Sequence, residues 1–278
     1  MKQYLILTGM FSIANFAGAT VSTLSAQQAS SATVPAHDSL TIGSVALHEA
    51  RPINVHLPAD YRAGDTTRFP VLYMPDGGMD EDFPHVVKTV DSLTSLSAIR
   101  PVIIVGIPNT ERRRDLTGPT RVSRDSAVAP HVGGSAAFRR FVEHELVPAI
   151  DTRYRTTHER TIIGESLAGL FIVETFLRDP GTFDHYIAFD PSLWWNHGAL
   201  VDSASVLLRR GAMEHAPHAT LYIAASSDDI DGNTGKLADV LHAAALPRVA
   251  LIYVARTELT HPTIFLGLAP SALIAALH

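Results

Sequence analysis

Thr161-Ile162-Ile163-Gly164-Glu165-Ser166-Leu167-Ala168-Gly169 runs from a short apolar strand into a helix-like segment, Leu170 to Leu177. A serine on a tight turn between strand and helix is lifted clear of both backbones, and small neighbours let the two elements approach closely. The spacing therefore marks Ser166 as a candidate nucleophile.

Outward from this turn, the pattern alternates strand and helix. Upstream, Leu40–Val45 and Ile53–Pro58 read as an antiparallel pair, and Phe69–Met74 as a continuous apolar strand closed by Pro75-Asp76-Gly77-Gly78. A helix is expected around 83–96, a strand over 102–107, a long loop over 108–134 and an amphipathic helix over 138–150. Downstream come strands at 185–189, 219–224 and 249–254, with helices at 199–209, 234–245 and 262–277. Strands apolar on both faces are buried on both faces, so the sheet is expected to be mostly parallel. The layout is that of an α/β-hydrolase: a mostly parallel central sheet with an antiparallel N-terminal start and helices on both faces.

In such sheets chemistry gathers at the carboxyl ends of the strands. A serine hydroxyl needs a general base, and the chain order in this fold is serine, acid, histidine. Of the 14 histidines, His261 stands between the last strand and the last helix. His185, His197 and His242 fit less well. The acid is expected after the 219–224 strand, in Ser226-Ser227-Asp228-Asp229-Ile230-Asp231. Asp228 is favoured, with Asp229 next and Asp231 and Glu258 as outside candidates; a Ser–His pair without a decisive acid also fits. Oxyanion donors are expected from the backbone N–H groups of Leu167 and Gly78, with Gly77 and Met79 as alternatives to Gly78. Trp194 and Trp195 sit at another strand end, where one could line a substrate pocket while the other packs in the core. The Arg112-Arg113-Arg114 run, bracketed by Glu111 and Asp115, reads as a solvated loop, or as a contact for an anionic substrate group.

The formal charge of −6, with no basic block beyond the bracketed Arg112–Arg114 run, argues against nucleic acid as a partner. There is no cysteine, no metal-binding His-Glu-x-x-His and no dinucleotide fingerprint, so neither metal nor cofactor is expected. Lys2, the mostly apolar stretch 5–19 and Leu24-Ser25-Ala26 read as an export signal over 1–26, implying a periplasmic or secreted protein. The apolar run is short for a membrane span, which needs about 20 residues. Residues 27–38 read as a flexible leader and 39–278 as one α/β-hydrolase domain.

Together, Arg51–Pro58, Phe69–Gly78, Gly106–Thr110 with Arg113–Thr117, Phe138–Tyr154, Gly164–Phe171, Phe189–Trp195 and Thr260-His261 resemble the Putative esterase family of α/β-hydrolases. That family includes enterochelin-type siderophore esterases, feruloyl and acetyl-xylan esterases, S-formylglutathione hydrolase and mycolyltransferases. The resemblance implies Ser166 as nucleophile, His261 as base, no cofactor and a small-molecule ester as substrate. Ala168 departs from the usual glycine, and the acid loop matches loosely. An acyltransferase of the same fold, or a non-catalytic carbohydrate- or siderophore-binding module, would carry the same scaffold.

Overall fold

The computed structural model describes residues 35–209 and 218–278. The expected export signal and most of the leader lie outside the described residues. The described part of the leader is already tied to the fold, since Asp38 opens the first strand and the His56 ring bonds Ala36 O at 2.7 Å.

β1 (Asp38–Ser44) and β2 (Glu49–His56) form the antiparallel start. β3 (Phe69–Pro75) leads to α1 (Phe83–Ser95) and β4 (Ile103–Ile107). The 108–134 segment is less irregular than its composition suggests, holding α2 (Arg112–Leu116) and α3 (Ser123–Ser126). The expected 138–150 helix is longer and interrupted: α4 (Ser135–Phe141), a π turn (Val142–Leu146) and α5 (Val147–Arg153). β5 (Thr156–Glu165), α6 (Leu167–Arg178) and β6 (His185–Phe189) follow, then α7 (Trp195–Arg209), β7 (Ala219–Ser226), α8 (Asn233–Ala244), β8 (Val249–Arg256) and α9 (His261–Leu277).

The strands lie in the order β1-β2-β4-β3-β5-β6-β7-β8. β2 pairs antiparallel with β4, and every pairing from β4 through β8 is parallel. Alternate residues divide between two apolar layers, as the two-residue strand period requires. Val71 and Tyr73 enter the layer under α6, whereas Leu72 and Met74 enter the layer under α1 and α9. Glu165 pairs in register with Phe189, and Phe189 with Ala224. The ends of β5 and β6 therefore lie level, and β7 runs on past Ala224 to Ser226. Arg51, fully buried, binds Asp115 at 2.6 Å and Pro108 O at 3.0 Å, which fastens α2 beside the sheet.

Candidate active site

Ser166 connects β5 to α6 with φ 61° and ψ −120°. A non-glycine residue there is strained, and such strain persists only where its surroundings over-determine it. They do so here: Ser166 N–H donates to Phe189 O (3.0 Å), while Ser166 O accepts from Ser192 N (2.9 Å) and Leu170 N (2.9 Å). Ser166 Oγ lies 3.3 Å from Ser192 Oγ. The close approach rests on small residues: a Cβ on Gly164 would stand 2.7 Å from Ala168 Cβ, and one on Gly169 3.0 Å from Pro191 Cα. The Ala168 methyl fits because Gly164 has none to oppose it.

The carboxylate at the imidazole is Asp190, which the sequence reasoning missed. Its Oδ2 lies 3.2 Å from His261 Nδ1. Asp190 is buried at the end of β6 with φ 38°; Ser226 N–H donates to its Oδ1 at 2.6 Å, and Ser226 Oγ to its Oδ2. Burial works against the charged carboxylate, but the hydrogen bonds from His261 and Ser226 prevail and hold it below the usual aspartate range. The bond to Asp190 raises the His261 ring above its ordinary value, against the opposing effect of burial.

The favoured acid, Asp228, lies elsewhere on the same histidine. Its Oδ2 accepts the backbone N–H of His261 at 2.8 Å. It therefore holds the first residue of α9 in place and does not orient the ring. Asp229 accepts from Thr234 N and Oγ1 at the start of α8, Asp231 lies in a 3₁₀ turn, and exposed Glu258 pairs with Arg256. His261 itself is the first residue of α9, behind the Thr260–Thr263 capping box. His185 faces Glu159 at 3.4 Å, away from this constellation.

Ser166, Asp190, Asp228, Asp229, His261 and the half-buried Trp194 line one cavity of about 270 Å³. Trp195 is buried, and its Nε1 donates to Gly118 O at 2.8 Å, so the two tryptophans divide between pocket and core. Leu167 opens α6, where the first N–H groups have no partner within the helix. Gly78 differs from the expectation. Its N–H donates to Glu81 Oε2 at 2.6 Å, because the chain turns back into α1 within three residues and returns that carboxylate to the loop. Gly77 N–H is spent on Ile107 O (3.1 Å), whereas Met79 N–H has no acceptor among the described residues. The arginine run is not merely solvated. Arg112 binds Asp76 through two bonds of 2.7 Å, and Arg114 binds Glu49 and Asp115.

Glu165, next to the nucleophile, is a further group the sequence reasoning passed over. Its Oε1 is buried without a hydrogen-bond partner among the described residues. Burial pushes it up to about 7; His261 opposes the shift, and Asp82, Asp190 and Asp76 add to it. Among the described residues no side-chain group suited to a metal ion occurs, and no helix is long and apolar enough to cross a membrane.

Comparison with known proteins bears on the family and the fold. The Putative esterase family matches residues 44–254. The chain is 34% identical over 142 residues to the ferri-bacillibactin esterase BesA of Bacillus subtilis, covering 46% of this chain and 49% of that protein. It is 32% identical over 117 residues to the siderophore triacetylfusarinine C esterase of Aspergillus fumigatus, covering 40% and 38%. The matched segments thus span half or less of these curated relatives. An IroE-like serine hydrolase from Shewanella oneidensis superposes with a TM-score of 0.75 at 25% identity, covering 87% of this chain and 78% of that one. With the family matched over most of its described length, the chain belongs to the Putative esterase family of α/β-hydrolases.

Proposed function

We propose that this protein is a serine ester hydrolase whose substrate is a siderophore ester. The observation that carries the reading is the shared cavity of Ser166, on its strained turn, and His261, its ring held by buried Asp190. In this reading Ser166 Oγ adds to the ester carbonyl carbon while His261 Nε2 takes its proton. The tetrahedral intermediate collapses, and the same proton passes to the departing alkoxide. Water then adds to the acyl-serine, its proton going to His261 and on to Ser166 as the acid is released. Asp190 keeps the imidazole in the tautomer that presents Nε2 as base and stabilises the imidazolium formed in each half-reaction. Leu167 N–H supplies one oxyanion donor, and the Gly77–Met79 loop supplies the second.

The siderophore assignment draws on the names of the relatives, among them a ferri-bacillibactin esterase and a siderophore triacetylfusarinine C esterase. Fluorophosphonate labelling of the purified protein tests the chemistry. Labelling is expected in the wild type and lost in Ser166→Ala, and an unlabelled wild type sinks the hydrolase reading. A panel of cyclic siderophore esters, feruloyl esters, acetylated sugars and short acyl esters tests the substrate, with the siderophores expected to show the highest kcat/KM. Export rests on the N-terminal sequence pattern, and a mature chain beginning at Gln27 would support it.

A further inference from the structure

A second hydroxyl stands at the reacting oxygen, and no step of the hydrolysis uses it. Ser192 follows Asp190 and Pro191 on the turn between β6 and α7, lines the cavity with Ser166 and His261, and is 4% exposed. Its backbone is clasped from two sides. Ser192 N–H donates to Ser166 O at 2.9 Å, and Ser192 O accepts from Trp195 N–H at 3.1 Å. Trp195 is itself buried, its indole tied to Gly118 O. On the other side Pro191 packs on α6 so closely that a Cβ on Gly169 would stand 3.0 Å from Pro191 Cα. A turn held in this way cannot carry its side chain elsewhere. Ser192 Oγ is delivered 3.3 Å from Ser166 Oγ, and among the described residues neither hydroxyl oxygen has another hydrogen-bond partner.

We infer that Ser192 is a further catalytic residue: its hydroxyl donates to Ser166 Oγ and stabilises the charge that gathers on that oxygen as the acyl-serine breaks. This rests on the hydrolase reading above. A serine hydroxyl has one proton to donate and two lone pairs with which to accept. Ser166 must give its own proton to His261, so the proton shared between the two serines is the one Ser192 carries. In the second half-reaction water adds to the acyl carbon and its proton goes to His261. The bond from that carbon to Ser166 Oγ then breaks, the electron pair stays on Oγ, and His261 returns the proton to it. Ser192 keeps its proton throughout. A hydrogen bond to a charged oxygen is roughly twice as strong as one to a neutral oxygen. Only the part of that strength absent from the ground state accelerates a step. Deacylation starts from an ester oxygen, a weaker acceptor than the free hydroxyl that starts acylation. The contribution of Ser192 is therefore larger in deacylation.

Ser192→Ala removes the donor and keeps the turn, and two rates separate its effects. Stopped-flow mixing with p-nitrophenyl acetate resolves acylation, seen as the first release of nitrophenol, from the deacylation that follows. Fluorophosphonate labelling times the attack of Ser166 alone, since the adduct is not turned over. Ser192→Ala is expected to deacylate roughly 10- to 100-fold more slowly than wild type, less than or equal to the loss of a full oxyanion donor. Its acylation and labelling rates should stay within about threefold of wild type, the smaller differential effect of a donor on the attacking oxygen. The acetyl-enzyme should then accumulate on Ser166, visible in the mass of the quenched protein. A variant that had merely displaced the nucleophile would slow labelling and deacylation together, and that result overturns the inference. So does a deacylation rate equal to that of wild type. A wild type that neither labels nor hydrolyses the ester fails the hydrolase reading itself. A wild type that does both, beside a Ser192→Ala protein with the same ratio of deacylation to labelling, overturns the role of Ser192 alone.

Discussion

Asp228 and His261 meet through the backbone: the Asp228 carboxylate accepts the histidine's N–H at 2.8 Å, while the ring turns to Asp190 at 3.2 Å. One histidine is thus held at two points by two aspartates from neighbouring strand ends. The two are separable by substitution. Asp190→Asn removes the charge that orients the ring and stabilises its protonated form, and should lower kcat by roughly 100- to 10,000-fold, the range seen when such an acid is lost elsewhere. Asp228→Asn keeps an oxygen acceptor for the N–H and should cost less than about tenfold. Initial rates on any ester the wild type turns over decide it. The reverse ranking would return the acid role to Asp228.

The pH profile should carry the same signature. A protonated imidazole cannot act as base, so kcat/KM is expected to rise with pH. Its midpoint should lie above the ordinary histidine value of about 6.5, because Asp190 first, and then Glu165, stabilise the charged ring. Asp190→Asn should move the midpoint down, and Glu165→Gln should move it down less. A midpoint indifferent to both substitutions would place the titrating group elsewhere.

The succession of strands and helices along the chain, and the turn that carries Ser166, could be read from sequence because their signals are local. Strand runs, glycines at 164 and 169 and a helix start each follow from neighbouring residues, as does the place of His261 before Pro262. The carboxylate that meets the His261 ring could not be read that way. Asp190 follows Phe189 in a stretch noted only as part of a family pattern, while Asp228 stands in a conspicuous acidic loop. Choosing between them requires knowing that β6 lies between β5 and β7 with Glu165 level with Phe189, and that pairing is long-range. The hydrogen bond from Gly78 to Glu81, and the two-point bond of Arg112 to Asp76, were hidden for the same reason. Each depends on where a polar side chain turns after its backbone is placed.

Glu165 makes a prediction about stability. Its folded value of about 7 stands above the ordinary glutamate range near 4.3, so the folded chain disfavours its ionised form. The cost is absent at low pH, where folded and unfolded chains are both protonated. It grows as pH rises from the unfolded value and is complete above the folded one. Glu165→Gln keeps the shape and removes the charge, so its Tm relative to wild type should increase steadily between about pH 4.5 and 7. A Tm difference independent of pH in that window would show that Glu165 is ionised at no cost.

The elbow offers a test by compensation. Gly164 and Ala168 face each other so closely that a Cβ on Gly164 would stand 2.7 Å from the Ala168 Cβ, nearer than real Cβ atoms come. Gly164→Ala should therefore overpack the turn, at about 1–3 kcal/mol. Ala168→Gly, at the second residue of α6, should cost up to about 1 kcal/mol through backbone freedom. Combined, the two should destabilise by less than the sum of the singles, since the second removes the methyl that the first collides with. Denaturant unfolding of the four proteins measures the coupling. Ile172 Cδ1, 3.2 Å from the same added Cβ, limits how complete the rescue can be. Strict additivity would mean that the strain of Gly164→Ala is taken up by that side chain and not by the contact between strand and helix.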